Sequence, residues 1–446
     1  MNLLSLTVVI FVALAVSGST SAAEQRFTLR EAVRVAFEQN DELLAFSHSA
    51  SAVSEDIAIA RSALIPKISF EERFMRTNNP TGVFSAKLNQ ERFEQADFAI
   101  SSLNDPAPIN DFQTLFSISQ PLLVRREVIG LSIAREEYTA KSDEYRRKKE
   151  EVALKVIRAY LAVHTTEGFT ATAEKAVEDA KEHLRVANLR YTTGVGLYSD
   201  VLRASTAVTE AEQRLISART QWSVAKRALG LLLGTAESAD VAETAPDLPL
   251  KDMDYYVAGI ASRSDVTSLE ARCEQAKSGV KLAQAGYLPF IGVGGSYQLN
   301  DHRNPFSGEG DSWFLTAFLR WDIFDGGRRR HEVSKAKYKV SEMQANLEGL
   351  KKAVAYRIYE AYLGVEEAKK SVELSRAAVA TSEEGRRLVK ERYESSLSPL
   401  TDLLDVQLSL DHARAASVAK ENDYRLSIAT LSYESGTILK DLGLDD

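Results

Sequence analysis

The sequence of 446 residues contains one cysteine, Cys273, so neither an intrachain disulfide nor a metal site built from several thiolates is possible. It contains only four methionines, and its six histidines lack metal-ligand spacing, which argues against binding of copper or silver. P-loop, His-Glu-x-x-His and Gly-x-Ser-x-Gly motifs are absent from the sequence. We therefore expect no catalytic site, no cofactor and no bound metal. The net charge of −8 gives no support to nucleic-acid binding.

Long apolar runs are also scarce. Residues 3–16 form a run of about 14, too short for a transmembrane helix. Small residues follow, and Ser21-Ala22-Ala23 offers a cleavage site, so we predict a signal peptide over residues 1–23. Beyond it no stretch approaches 18 apolar residues, so the mature chain is expected to enter a membrane only as β-structure.

The chain repeats one plan. Segments 156–161, 190–191 and 200–202 each recur in similar form 202 residues later. We predict a first repeat over residues 24–232 and a second over 265–436. A linker at 233–264 would join them, and a tail at 437–446 would follow.

Each repeat contains a proline-free helical segment, at 126–192 and 328–394, which would reach about 100 Å if continuous. From Val201 to Leu232 apolar residues alternate spacings of three and four, a period that produces a left-handed coiled coil. We predict coiled-coil hairpins at about 126–232 and 328–435. The charged run 136–151, together with His164 and His183, is expected on solvated helix faces.

Between the helices, apolar and polar residues alternate with a period of two at 67–74, 112–119 and 291–300, which predicts strands with one apolar face. We predict β-hairpins at about 66–121 and 289–322, the first with a longer loop between Thr77 and Asn110. Twelve of the 17 Phe lie in 65–125 and 287–325, as aromatic girdles at lipid interfaces would require. Soluble hairpins packed on helices are the alternative. Four strands cannot close a barrel, so insertion would require several chains.

The duplicated plan, Pro66 and Pro289 at helix-to-strand junctions, and the junction at 322–328 resemble the TolC-type outer-membrane efflux protein family. The resemblance covers residues from about 27 to 436. It implies a mainly α fold with a small β part, in which a long coiled-coil α-barrel continues four transmembrane strands per chain. Three chains would pool these strands into a trimeric 12-stranded outer-membrane β-barrel.

The resemblance implies a passive exit duct for small molecules or proteins in a tripartite efflux or type I secretion system. The duct would lie in the outer membrane of a Gram-negative bacterium and extend into the periplasm. Its implied partners are two further copies of the chain, a periplasmic membrane-fusion (adaptor) protein, an inner-membrane pump of RND or ABC type, and outer-membrane lipid. A periplasmic coiled-coil scaffold without a pore is the second hypothesis.

The resemblance also implies site residues. The family pattern Tyr-x₈-Asp-x-x-Asp matches Tyr393, Asp402 and Asp405, which would form the channel constriction at the periplasmic tip. Carboxylates converging in a trimer would attract cations and raise one another's pKa. Alternatively, Asp402 simply favours a helix N-terminus. The implied adaptor-contacting tips are Gly194, Val195, Gly196, Leu197, Tyr198, Ser396, Leu397, Ser398, Pro399 and Leu400.

Overall fold

The computed structural model describes residues 26–242 and 249–444. The predicted signal peptide at 1–23 lies outside the described residues, as do 243–248 of the predicted linker and 445–446 of the tail. The described part is mainly helical with a small β part, which confirms the predicted fold class at that level.

The first half of the chain holds two short helices, two strands separated by helical turns, and one long helical hairpin. Its elements are β1 (Arg26–Phe27), α1 (Leu29–Gln39), α2 (Asp41–Ser62), β2 (Lys67–Thr77), α3 (Pro80–Asn89), a 3-10 turn (Gln95–Phe98), α4 (Ile100–Asn104), β3 (Ile109–Leu123), α5 (Arg125–Thr192) and α6 (Tyr198–Leu232). The segment between β2 and β3, predicted as a plain loop, is therefore largely helical.

The second half repeats this order with a short loop between its strands. Its elements are β4 (Asp240–Val241), α7 (Met253–Ala258), a 3-10 turn (Gly259–Ser262), α8 (Ser264–Ala285), β5 (Phe290–Asp301), β6 (Gly310–Arg320), α9 (Arg328–Glu394), α10 (Leu400–Ser435) and α11 (Ile438–Leu442). At about 1.5 Å per residue, the 68 residues of α5 and the 67 of α9 each reach about 100 Å.

Small side chains hold the two helices of the first hairpin together. Ala204, Ala211 and Ala218 recur every seventh residue of α6 and are buried. Ala211 packs in one cluster with Val177 and Ala180 of α5. A repeat of seven keeps the same stripe facing the partner helix along the hairpin, and alanine allows the two backbones to approach closely.

The main apolar core lies midway along the hairpins. Val152, Val156, Ile157 and Tyr160 of α5 are buried there against α1, the end of α6, and the end of α10 with α11. The Tyr160 hydroxyl donates a 3.2 Å hydrogen bond to the carbonyl oxygen of Phe27. Burying each such side chain contributes about 1.5–3 kcal/mol to the free energy of folding. Because the cluster contains residues from both halves of the chain, it holds the two repeats together.

The run 136–151 does not form a solvated face, so this prediction was wrong in part. Glu150 is only 2% exposed, and its carboxylate accepts hydrogen bonds from Arg147 (2.6 Å) and from the Ser264 hydroxyl (2.8 Å). Arg272 of α8 donates to Glu144 at 2.7 Å. The charged run is thus an interface between α5 and α8, where buried polar groups are paired.

Four strands form one antiparallel sheet in the order β2-β3-β5-β6. One row across all four strands is aromatic, because Phe70 pairs with Phe116, Phe116 with Tyr297, and Tyr297 with Trp313. The opposite face carries mostly polar side chains such as Gln113. The sheet therefore has one apolar and one polar face.

Across residues 26–242 and 249–444, no helix combines the length and the apolar character needed to span a bilayer.

Candidate functional site

The two hairpin tips have the same turn, 202 residues apart. The N–H of Gly194 donates to the carbonyl oxygen of Tyr191, and the N–H of Ser396 donates to that of Tyr393, both at 3.0 Å. Gly194 (φ 79°) and Ser396 (φ 62°) both adopt the left-handed conformation. A glycine does so freely, whereas a serine costs about 1 kcal/mol, so the second turn needs support from neighbouring groups.

Several predicted tip residues present apolar side chains to solvent. Val195 and Leu197 are each 67% exposed, and Leu397 is 70% exposed. Leu400 differs, because its side chain is fully buried in a cluster with Tyr393, so it supports the turn from within. An exposed apolar end on a long hairpin is suited to contact with another protein.

The two predicted constriction aspartates lie one turn apart on α10. Asp402 and Asp405 are both exposed, and the Ser398 hydroxyl donates a 2.7 Å hydrogen bond to Asp402 Oδ2. Tyr393, the third predicted residue, is only 4% exposed. The structure thus exposes the two carboxylates to solvent, whereas the Tyr393 ring is buried in the packing of the tip.

An arginine to which the sequence patterns assigned no role joins the two hairpins at the tip. Arg190 of α5 donates to the carbonyl oxygens of Tyr393 (3.1 Å) and Glu394 (3.2 Å) and to the Ser396 hydroxyl (2.7 Å). Its guanidinium also lies 4.9 Å from the centre of the Tyr393 ring. A cation at the carbonyl end of α9 is stabilised by the helix dipole, and it supports the strained turn at Ser396. The repeat marked Arg190, but only its spatial neighbours reveal this role.

A buried polar cluster lies further along the same interface. The Gln407 amide donates to Asp179 (3.2 Å) and to Asp411 (2.9 Å), and Arg386 lies 3.7 Å from Asp179. His183, predicted on a solvated face, is instead 5% exposed, so that prediction was wrong. Burial lowers the pKa of His183, against the opposing influence of Gln407 and Asp179. Burial also raises the pKa of the Asp411 carboxyl.

A groove of about 410 Å³ runs beside this cluster, between α5, α6 and α10. Charged side chains of both signs line it, namely Arg203, Asp405, Glu210, Arg214 and Asp411. The groove reaches from Asp405, one of the two predicted constriction aspartates, to the buried cluster, so a change in the packing of the hairpins would alter the surroundings of both.

At the far end of the sheet the fold brings together Asp301, His302 and Glu309, although their types and spacing predicted no metal site. The Nδ1 atom of His302 lies 2.5 Å from Glu309, and Arg303 donates to its Nε2 at 2.7 Å. Asp301 accepts from the backbone N–H of Arg303 and of Asn304. Each of the three side chains already has a partner, so the group braces the loop between β5 and β6.

Two long helical hairpins, one in each half of the chain, joined to a small two-faced sheet define an elongated class of protein. The family model for outer membrane efflux proteins matches residues 32–235 and 257–437, and the chain belongs to this family. Members of this family are outer-membrane channels that extend into the periplasm, and they are not enzymes.

Curated relatives are similar over most of their length. The chain is 23% identical to the outer membrane efflux protein BepC of Brucella suis over 95% of this chain and 89% of BepC. It is 23% identical to the outer membrane protein OprJ of Pseudomonas aeruginosa over 76% of this chain and 72% of OprJ. The crystal structure of the Campylobacter jejuni CmeC outer membrane channel has the same fold, with a TM-score of 0.74 and 16% identity over 98% of this chain and 94% of CmeC.

Proposed function

We propose that three copies of this chain form the exit duct of a tripartite efflux or type I secretion system. Among the described residues, β2 and β6 each pair with one strand only, so the sheet has two free edges. Free edges are not tolerated in hydrocarbon. Three four-stranded sheets joined edge to edge would close a barrel of twelve strands, with the polar faces inward.

The aromatic row across the sheet is the observation that carries this proposal. Phe70, Phe116, Tyr297 and Trp313 are 52%, 46%, 43% and 75% exposed. The next row toward the helices is apolar and includes Ile68, whereas the next row outward contains charged residues. Aromatic rings between an apolar band and a charged band are typical of a membrane interface, here the outer one. A soluble scaffold would not expose this surface.

The helical hairpins would continue the barrel as a tunnel into the periplasm, with its narrowest point at their tips. Asp402 and Asp405 would face the axis, where three copies of each carboxylate would attract cations and resist anions. Arg190 would hold the second hairpin against the first in the resting state. In this arrangement the duct itself uses no energy, and an inner-membrane pump would supply it.

The tips would dock an adaptor protein. Val195, Leu197 and Leu397 offer exposed apolar side chains at the membrane-distal end of the tunnel, where a periplasmic partner would meet the duct end to end. Docking there would place the partner beside the Arg190 contacts, so that binding and opening would be coupled.

Planar-bilayer conductance tests the duct. The purified protein is compared with an Asp402→Ala/Asp405→Ala variant and with Asp423→Ala, which removes an exposed carboxylate farther along α10. We expect a small cation-selective conductance in the wild type, a larger and less selective one in the double variant, and no change in the control. A correctly assembled trimer that never conducts, with or without the aspartates, would overturn the proposal.

A further inference from the structure

The segment from Asn78 to Ala107, between β2 and β3, folds as a unit of its own. Val83 and Ala86 of α3 are buried. The Phe93 ring packs edge-on against the rings of Phe84 and Phe98, whose centres lie 4.9 Å and 5.0 Å from its own. A small core of this kind makes the segment a preformed element and not an open loop.

One side chain of this unit is inserted into the polar face of the sheet. The amide of Gln90, which is fully buried, donates to Asp111 Oδ1 at 2.8 Å and to the carbonyl oxygen of Asn110 at 2.9 Å. The same Asp111 carboxylate, also fully buried, accepts from Gln113 (2.6 Å) and from Asn300 (3.0 Å). Two strands of the sheet and the inserted unit therefore share one carboxylate.

The strand register identifies the face. Gln113 lies directly opposite Asn300, and Asp111 is two residues from Gln113, so all three side chains lie on the same side of the sheet. The aromatic row occupies the other side, since Phe116 has the opposite parity on β3. The inserted unit thus covers the polar face, at the end of the sheet farthest from the helices.

The unit reaches across the sheet to its opposite edge strand. A Cβ atom on Gly310, the first residue of β6, would lie 2.1 Å from the carbonyl oxygen of Asn89, so the two backbones are in direct contact. Arg92 donates to Gln90 Oε1 at 3.2 Å, and its Nε lies 3.8 Å from Glu309 in the loop between β5 and β6. The segment therefore starts at β2 and β3 and spans the sheet to β6.

We propose that residues 78–107 form a lid over the outer opening of the duct, held in place by Gln90, and that this lid sets the largest solute that passes. This inference rests on the proposed trimeric duct, in which the polar face lines the lumen. In that assembly, residues 78–107 of each copy would cover about one third of the outer opening. Gln90 is a positioning residue, because it fixes the lid and need not touch the solute.

Size exclusion by neutral polymers tests the lid. Polyethylene glycols of increasing size are added on the lid side of single channels, in the Asp402→Ala/Asp405→Ala background so that the other end does not limit the current. Gln90→Ala is compared with Gln113→Ala, which removes a hydrogen bond to the same Asp111 carboxylate from within the sheet. A further variant replaces residues 80–107 with a short glycine-serine linker.

We expect Gln90→Ala and the linker variant to shift the polymer cut-off to larger sizes, while Gln113→Ala leaves it unchanged. Trypsin provides a second readout, since Gln90→Ala should speed cleavage after Lys87 and Arg92 in the assembled protein. If the linker variant conducts but its polymer size cut-off is unchanged, the lid proposal is wrong and the proposed duct is unaffected. A Gln90→Ala protein with wild-type cut-off and wild-type cleavage overturns the assigned role of Gln90. If the assembled trimers do not conduct in any variant, both the duct proposal and the lid proposal are wrong.

Discussion

Arg190 and Tyr393, which lie on different hairpins and 203 positions apart, contact each other twice at the tip. The guanidinium of Arg190 donates a 3.1 Å hydrogen bond to the backbone carbonyl oxygen of Tyr393, and it also lies 4.9 Å from the centre of the Tyr393 ring. A single side chain therefore binds both the end of α9 and the ring of Tyr393, one of the three predicted constriction residues. Its removal should release one hairpin from the other.

Arg190→Ala is expected to raise the open probability of the channel in bilayers. The substitution removes hydrogen bonds donated by a charged group, and a well-formed bond of this kind contributes about 1.5–3 kcal/mol to stability. The contribution is smaller here because the site is partly solvated. Arg185→Ala is the matched control, because Arg185 is exposed and pairs with Glu182 of its own helix. Equal open probability for the two variants and the wild type would contradict the proposed role of Arg190 in holding the hairpins together.

His183 should make the hairpin interface weaker in acid. Its pKa in the folded protein is lowered by burial, so the fold favours the neutral ring. The stabilisation is therefore complete above the unfolded pKa of about 6.5 and is lost as pH falls from there toward the lower folded value. The thermal midpoint should drop between pH 7.5 and 5 by less in His183→Gln than in the wild type.

His412→Gln provides the control substitution, since His412 is an exposed histidine on α10 and does not belong to the buried cluster around His183. Asp411 changes the stability in the opposite direction as pH falls. Its pKa is raised in the folded protein, so protonation of its carboxyl favours the folded state. Subtracting the His183→Gln profile from that of the wild type isolates the histidine. Identical profiles would show that His183 does not titrate differently on unfolding.

Arg263→Ala should destabilise the junction between the repeats by about 3 kcal/mol, because it removes the buried cation that pairs with the partly buried Asp265 and Glu434 carboxylates. Arg263 is 1% exposed, pairs with Asp265 at 2.8 Å, and also donates to the backbone carbonyl oxygen of Glu434 on α10. Arg272→Ala is the control, since that more exposed arginine pairs with Glu144 and should cost about 0–1 kcal/mol. Denaturant unfolding of the solubilised protein measures both, and comparable losses would argue against a special role for Arg263.

Aspartate substitutions at the tips should abolish export without closing the duct. Val195→Asp and Leu397→Asp place charges on the exposed apolar ends that we expect to meet an adaptor. Leu374→Asp changes an equally exposed leucine within α9, far from the turn, and should be tolerated. Export is measured in cells that carry each variant, and conductance is measured in bilayers. Tip variants that export normally would remove these residues from the proposed docking surface.

Local patterns in the sequence were sufficient for much of the fold. Spacings of three and four predicted a helix that the structure places at Tyr198–Leu232, and alternation of period two predicted strands on which the apolar and polar faces separate. The shared offset of 202 residues indicated that Gly194 and Ser396 occupy equivalent turns. These features follow from the sequence because each depends on residues that are close together along the chain.

The tertiary structure alone decided which polar side chains are buried and which distant residues meet. The helix periodicity did not indicate that His183 faces a second hairpin, because a helix face that looks polar is solvated only if nothing packs on it. The roles of Arg190 and Gln90 depend on contacts with Tyr393 and Asp111, and the composition of a loop does not specify which face of a sheet it covers. Packing between elements brought these groups together, and it turned a predicted loop into a folded unit above the polar face.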